Sequence, residues 1–99
     1  MPHSQSALGQ ATGLLKLLSH PVRLSILCNL QHSGEMHVGA IVAAEEGLAS
    51  QSQVSQFLTK MHAEGLVKRR KVAQTVYYSI KSPQAKKLIQ TLYKIYCSK

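Results

Sequence analysis

The chain contains no aspartate, and its only acidic residues are Glu35, Glu45, Glu46 and Glu64. No two of these form an evident general acid–base pair, and there is no glycine-rich phosphate loop. Neither cysteine has a histidine base that the sequence points to, so an enzyme is disfavoured. No apolar run approaches the roughly 18 residues of a membrane span, and the opening MPHSQSALGQ lacks a signal-peptide core. A cytoplasmic chain is expected rather than a secreted or membrane one. There are no internal repeats.

What is present is basic charge. Twelve Lys and Arg against four acids give a net charge of +8, which a dimer would double. The excess lies in the C-terminal third, because no acid follows Glu64. Lys68, Arg69, Arg70, Lys71, Lys81, Lys86, Lys87, Lys94 and Lys99 all do. Such a one-sided field suits a polyanion, since each neutralised phosphate releases condensed counterions. A basic face kept for solubility is the plainer alternative, and charge alone does not choose among DNA, RNA and anionic lipid. With 99 residues, 44% of them hydrophobic, the chain fits a single globular domain spanning residues 1–99. Domains of this size are often stabilised by association.

Hydrophobic spacing predicts a first helix over 8–18, with Leu8, Ala11, Leu15 and Leu18 on one side. Ser19-His20-Pro21 breaks it and starts a second over 21–32, which carries Leu24, Ile26, Leu27, Cys28 and Leu30 and ends near Gly34. A third, over 38–46, turns Val38, Ile41 and Val42 inward and closes at Gly47. Residues 50–56, SQSQVSQ, have the composition of a polar linker. Val54, Phe57, Leu58 and Met61 nevertheless recur at helical spacing, and Ser50 suits an N-cap. A helix over 51–64 with a polar N-terminal face accounts for both features. Val76, Tyr78 and Ile80 alternate with Thr75, Tyr77 and Ser79 as in a strand, and Val67 to Lys71 supplies its partner across a turn at Val72-Ala73-Gln74. Ser82-Pro83 opens a last helix over 83–97, whose wide stripe of Leu88, Ile89, Leu92, Tyr93, Ile95 and Tyr96 calls for a partner subunit.

Four helices, a basic two-stranded hairpin and a closing helix describe a mainly α winged helix-turn-helix, dimeric through its first and last helices. In that geometry the fourth helix enters the major groove and presents its N-terminal residues to base edges. Gln51, Ser52, Gln53, Ser55 and Gln56 are the candidate base readers, because Gln bonds adenine bidentately and Ser serves either partner. Thr59, Lys60, Lys68, Arg69, Arg70 and Gln74 are candidate backbone contacts. Arg23 is assigned to packing or to a pair with a glutamate. RNA modules usually display aromatics on an open sheet, whereas Tyr77 and Tyr78 belong to a hairpin. An architectural nucleic-acid-binding protein and a protein-interaction module remain competing classes.

These residues also carry a family resemblance. HPVRLSIL at 20–27 resembles the helix-two signature of the ArsR/SmtB transcriptional repressors. SQSQVSQFL at 50–58 resembles their recognition helix, and EGLVKRRKVAQTVYYSI at 64–80 their helix end and wing. The match covers about 80 residues in the expected order. Phe57 departs from the family's usual His, and Ala73-Gln74 from its usual Gly-Arg at the wing tip.

The resemblance implies a metal sensor unless the ligands are missing, and they are. VGAIVAAEE at 38–46 has no Cys-x-Cys, and PQAKKLIQTLYKIYC at 83–97 has no Asp, His or Glu pair. His3, His20, His32, His37 and His62 are scattered without ligand spacing, so no metal and no cofactor is expected. Cys28 and Cys97 remain. Residue chemistry alone leaves them open between small buried hydrophobes and reactive thiols, and spacing does not show that they meet. ILCNL at 26–30, AQTVYYSI at 73–80 and YC at 96–97 resemble the two-cysteine, HlyU/BigR-like subgroup. That resemblance implies a thiol switch that answers oxidants or reactive sulfur, with double-stranded DNA as partner, held as a homodimer on an inverted repeat. Lys94, one turn before Cys97, is placed to lower that thiol's pKa.

Overall fold

The computed structural model describes residues 4–97, so His3 and Lys99 fall outside the described residues. The elements run α1 (Gln5–Leu18), α2 (Pro21–Ser33), β1 (Met36–His37), α3 (Val38–Ala44), α4 (Gln51–Ala63), β2 (Val67–Val72), β3 (Thr75–Ile80) and α5 (Pro83–Tyr96). Each long helix starts where a side chain accepts an otherwise orphaned backbone N–H. Ser4 accepts from Ala7 N–H, His20 from Val22 N–H, Ser50 from Gln53 N–H and Ser82 from Ala85 N–H. In α4 the cap is reciprocal, because Gln53 Oε1 accepts from Ser50 N–H at 2.9 Å. The SQSQ stretch is therefore a capped helix start and not a linker.

The hairpin is longer and broader than its sequence suggests. Val72 pairs with Thr75, which leaves Ala73 and Gln74 alone at the tip. Ala73 sits at φ 54, a left-handed conformation that Gly adopts more readily. A third strand, β1, pairs Met36 with Tyr78 and His37 with Tyr77, giving the antiparallel order β1-β3-β2 in place of the expected two strands. Two residues are too few for alternation to register, so only the neighbouring strand reveals β1. α1 begins three residues earlier than expected because Ser4 caps it. α3 stops at Ala44, and the chain turns through Gly47 at φ 89 before α4.

One core joins these elements. Ile26, Leu27 and Leu30 of α2 meet Ile41 of α3, Val54, Leu58 and Met61 of α4, Val67, Tyr78 and Ile80 of the sheet, and Ala85 and Ile89 of α5. The i, i+4, i+7 stripe of α4 is thus turned inward, which leaves its opposite face outward. Outside the core, Leu8 and Leu15 on α1 and Ile95 and Tyr96 on α5 lie exposed, Tyr96 at 77%. No helix among the described residues is long and apolar enough to cross a membrane.

Candidate nucleic-acid interface and cysteine cleft

Burial of Val54, Leu58 and Met61 leaves Gln51, Ser52, Gln53, Ser55, Gln56, Thr59 and Lys60 exposed on α4. Ser55, Gln56, Thr59, Lys60 and Ala63 line one shallow groove along that face. Gln53 differs from its neighbours because its carbonyl oxygen is engaged by the helix cap, leaving its amide N–H groups outward-facing donors. Lys68, Arg69 and Arg70 are exposed on β2, and Gln74 is exposed at the tip.

Arg70 is not free. Glu35, just ahead of β1, holds its guanidinium bidentately, Nη2 at 2.7 Å and Nε at 3.2 Å. The same group lies 5.0 Å from the Tyr77 ring centre. The Arg70 hydrogen bond and charge, with help from Lys68, hold the Glu35 carboxyl below its ordinary range. A carboxylate on the wing was not visible in the sequence, because only the β1–β3 pairing carries residue 35 there.

Phe57 turns away from the outer face of α4. Its ring centre lies 4.7 Å from that of His20, and the Arg23 guanidinium sits 5.9 Å from it. Arg23 is 7% exposed and donates to Glu64 Oε1 at 2.9 Å and to the Leu17 carbonyl at 3.1 Å. It is thus both a packing residue and a glutamate partner.

Cys28 and Cys97 are both free thiols, the first half-buried and the second exposed. They line the same cleft of about 430 Å³ between α2 and α5, together with Pro21, Leu24, Ser25, Asn29, His32 and Tyr93. Positions 25, 28, 29 and 32 share one face of α2, and Tyr93 stands one turn before Cys97 on α5. Tyr93 Oη and His32 Nδ1 share a hydrogen bond of 3.2 Å with their rings stacked, which fastens the end of α5 to α2. Burial, followed by the neighbouring Cys97 sulfur and the Glu45 carboxylate, pushes the Cys28 thiol up. Lys94 lies in an adjoining groove with Gln31, His32, Gln90 and Tyr93, outside the cysteine cleft. Among the described residues, no group of three or more His, Cys, Asp and Glu is arranged to hold a metal ion.

Comparison with known proteins adds identity to this geometry, although no family model matches the chain. It is 42% identical over 93 residues to the HTH-type transcriptional regulator YgaV of Escherichia coli, covering 94% of this chain and 92% of that protein. The crystal structure of the transcriptional regulator HlyU from Vibrio vulnificus superposes with a TM-score of 0.87 at 42% identity, covering 94% of each chain. The transcriptional repressor BigR from Xylella fastidiosa superposes with a TM-score of 0.79 at 32% identity, covering 96% of this chain and 94% of that one.

Proposed function

The chain belongs to the HlyU/BigR-like family of winged-helix transcriptional regulators, and from that premise we propose that it is a homodimeric repressor switched by Cys28 and Cys97. It is a regulator and not an enzyme. Gln51, Ser52, Gln53, Ser55 and Gln56 read base edges of an inverted repeat in the major groove. Thr59, Lys60, Lys68, Arg69, Arg70 and Gln74 track the phosphates. The exposed apolar residues of α1 and α5 meet their copies in a second subunit, as the outward Leu8, Leu15, Ile95 and Tyr96 favour. Such a regulator works in the cytoplasm.

The observation that carries the switch is the shared cleft, since two thiols from elements 69 positions apart in sequence open into one space of a single chain. Oxidation removes two electrons from the two thiols and joins their sulfurs. The oxidant is a peroxide, which leaves as water, or a hydropersulfide, which leaves as a thiol and hydrogen sulfide. The bridge ties the end of α5 to α2. Because α5 also belongs to the dimer face, the tie alters the spacing of the two α4 helices. Both then no longer fit successive major grooves, about 34 Å apart. Only a difference in DNA affinity between the two states makes this a switch.

The test is binding of the reduced protein to an inverted-repeat fragment from its own promoter region, before and after polysulfide or peroxide. Loss of binding on treatment and recovery with a reductant are expected. Cys28→Ser should bind DNA normally and resist release. Equal binding in both states would leave a DNA-binding regulator without a thiol switch.

A further inference from the structure

Glu45 is the most deeply buried charged residue among those described, 1% exposed, and it stands directly behind the cysteine cleft. It follows α3, one turn after the core residue Ile41. Ser25 Oγ donates to its Oε2 at 2.9 Å and Asn29 Nδ2 donates to the same oxygen at 2.7 Å. Its Oε1 is buried and has no hydrogen-bond partner among the described residues. Ser25 and Asn29 are cleft residues on either side of Cys28 along α2. A carboxylate therefore lies beneath the Cys28 side of the cleft and holds the hydroxyl and amide of two residues that line it.

We propose that Glu45 is a positioning residue of the thiol switch, holding the Ser25 and Asn29 wall around half-buried Cys28 as the resolving thiol and leaving exposed Cys97 as the sulfur that attacks first. This inference rests on the thiol-switch reading given above. The groups that face Cys28 are Cys97 and Tyr93 from α5, Glu45 from the end of α3, and His32 on its own helix. Burial raises the Cys28 thiol most, Cys97 next and Glu45 after it, while Tyr93 and His32 are engaged with each other. Cys97 is the C-cap of α5 and is exposed, so a dissolved sulfur donor reaches it before half-buried Cys28.

The reaction then has an order. The Cys97 thiolate attacks the terminal sulfur of a small hydropersulfide, RSSH, so that Cys97–SSH forms and RS⁻ leaves. Cys28, giving up its proton as it reacts, next attacks the Cys97 sulfur. A Cys28–Cys97 disulfide forms, and hydrosulfide departs with the proton of Cys28 as hydrogen sulfide. Two thiols are oxidised and one sulfane sulfur is reduced.

The experiment measures iodoacetamide alkylation of the full chain against pH, by mass spectrometry, in Cys28→Ser and Cys97→Ser proteins with and without Glu45→Gln. At pH 7, Cys97 is expected to be alkylated faster than Cys28, because Cys97 is exposed and burial raises the half-buried Cys28 thiol. Glu45→Gln should lower the pH midpoint of Cys28, speed its alkylation at pH 7 and leave the Cys97 profile unmoved. Equal reactivity of the two cysteines would overturn the order. An unchanged Cys28 midpoint, or a parallel rise at both cysteines as in a loosened fold, would overturn the role of Glu45. If Glu45→Gln fails to fold, Glu45→Met removes the charge at similar volume. Treatment with glutathione hydropersulfide should trap a persulfide on Cys97 in the Cys28→Ser protein and much less on Cys28 in the reverse variant. DNA release from the unmodified protein tests the switch separately, so a regulator that releases DNA but reacts first at Cys28 loses only this inference.

Discussion

Arg23 and Glu64 are 41 positions apart in sequence and meet at 2.9 Å, where the guanidinium also reaches the end of α1 through the Leu17 carbonyl. A single side chain on α2 thereby fixes the last turn of α1 and the exit of α4. Because α4 carries the exposed Gln and Ser face, this contact sets the direction from which that face is presented.

Arg23→Ala should destabilise the protein by about 2–3 kcal/mol. That is below the full penalty for breaking a buried pair, because the Glu64 side chain keeps 25% exposure and recovers part of its hydration. Thermal unfolding of the reduced protein measures the loss. A change within about 0.5 kcal/mol, the usual range for a surface substitution, would show that the contact organises nothing.

Glu35→Gln should strengthen DNA binding at low salt and steepen its salt dependence. It removes an anion from the wing and frees Arg70 for one further phosphate, which changes the slope of log K against log salt by about 0.9. Fluorescence anisotropy across a salt series reads both effects. A slope identical to that of the unmodified protein would mean that Glu35 does not limit the phosphate contact of Arg70.

The same pair titrates in a known direction. The Glu35 carboxyl is held low, first by its hydrogen bond to Arg70. The pairing is complete above the ordinary glutamate range and is lost as pH falls through the depressed value. Its carboxyl resonance should therefore titrate below about 4.3, the unperturbed value, and return toward it in Arg70→Ala. A Glu35 midpoint unaffected by Arg70→Ala would contradict the assignment.

Ala73→Gly should stabilise the wing. Relief of the left-handed conformation is worth about 1–2 kcal/mol. The added freedom of glycine in the unfolded chain takes back about 0.4–1 kcal/mol. The net gain, about 0.8 kcal/mol at the middle of both ranges, should raise Tm by roughly 3–6 °C. A lower Tm would show that the alanine methyl makes a contact worth more than the strain.

Local patterns carried most of the fold. The stripes of α4 and α5, the caps at Ser50 and Ser82, and the alternation of Val76, Tyr78 and Ile80 each depend on neighbours within a few residues. Such signals survive in one dimension because helix and strand periods are short. They failed at β1, whose two residues have no period to show, and at the tip, where pairing of Val72 with Thr75 selects Ala73 for the strained position.

The candidate site divides along the same line. The polar face of α4, the basic strand and the presence of two thiols are legible in one dimension, because composition and spacing along one element suffice for each. Folding alone brings Cys28 and Cys97 to one cleft, buries Glu45 behind it and sets Glu35 against Arg70. These contacts join elements separated by long stretches of chain, and packing around a common core brings them within reach.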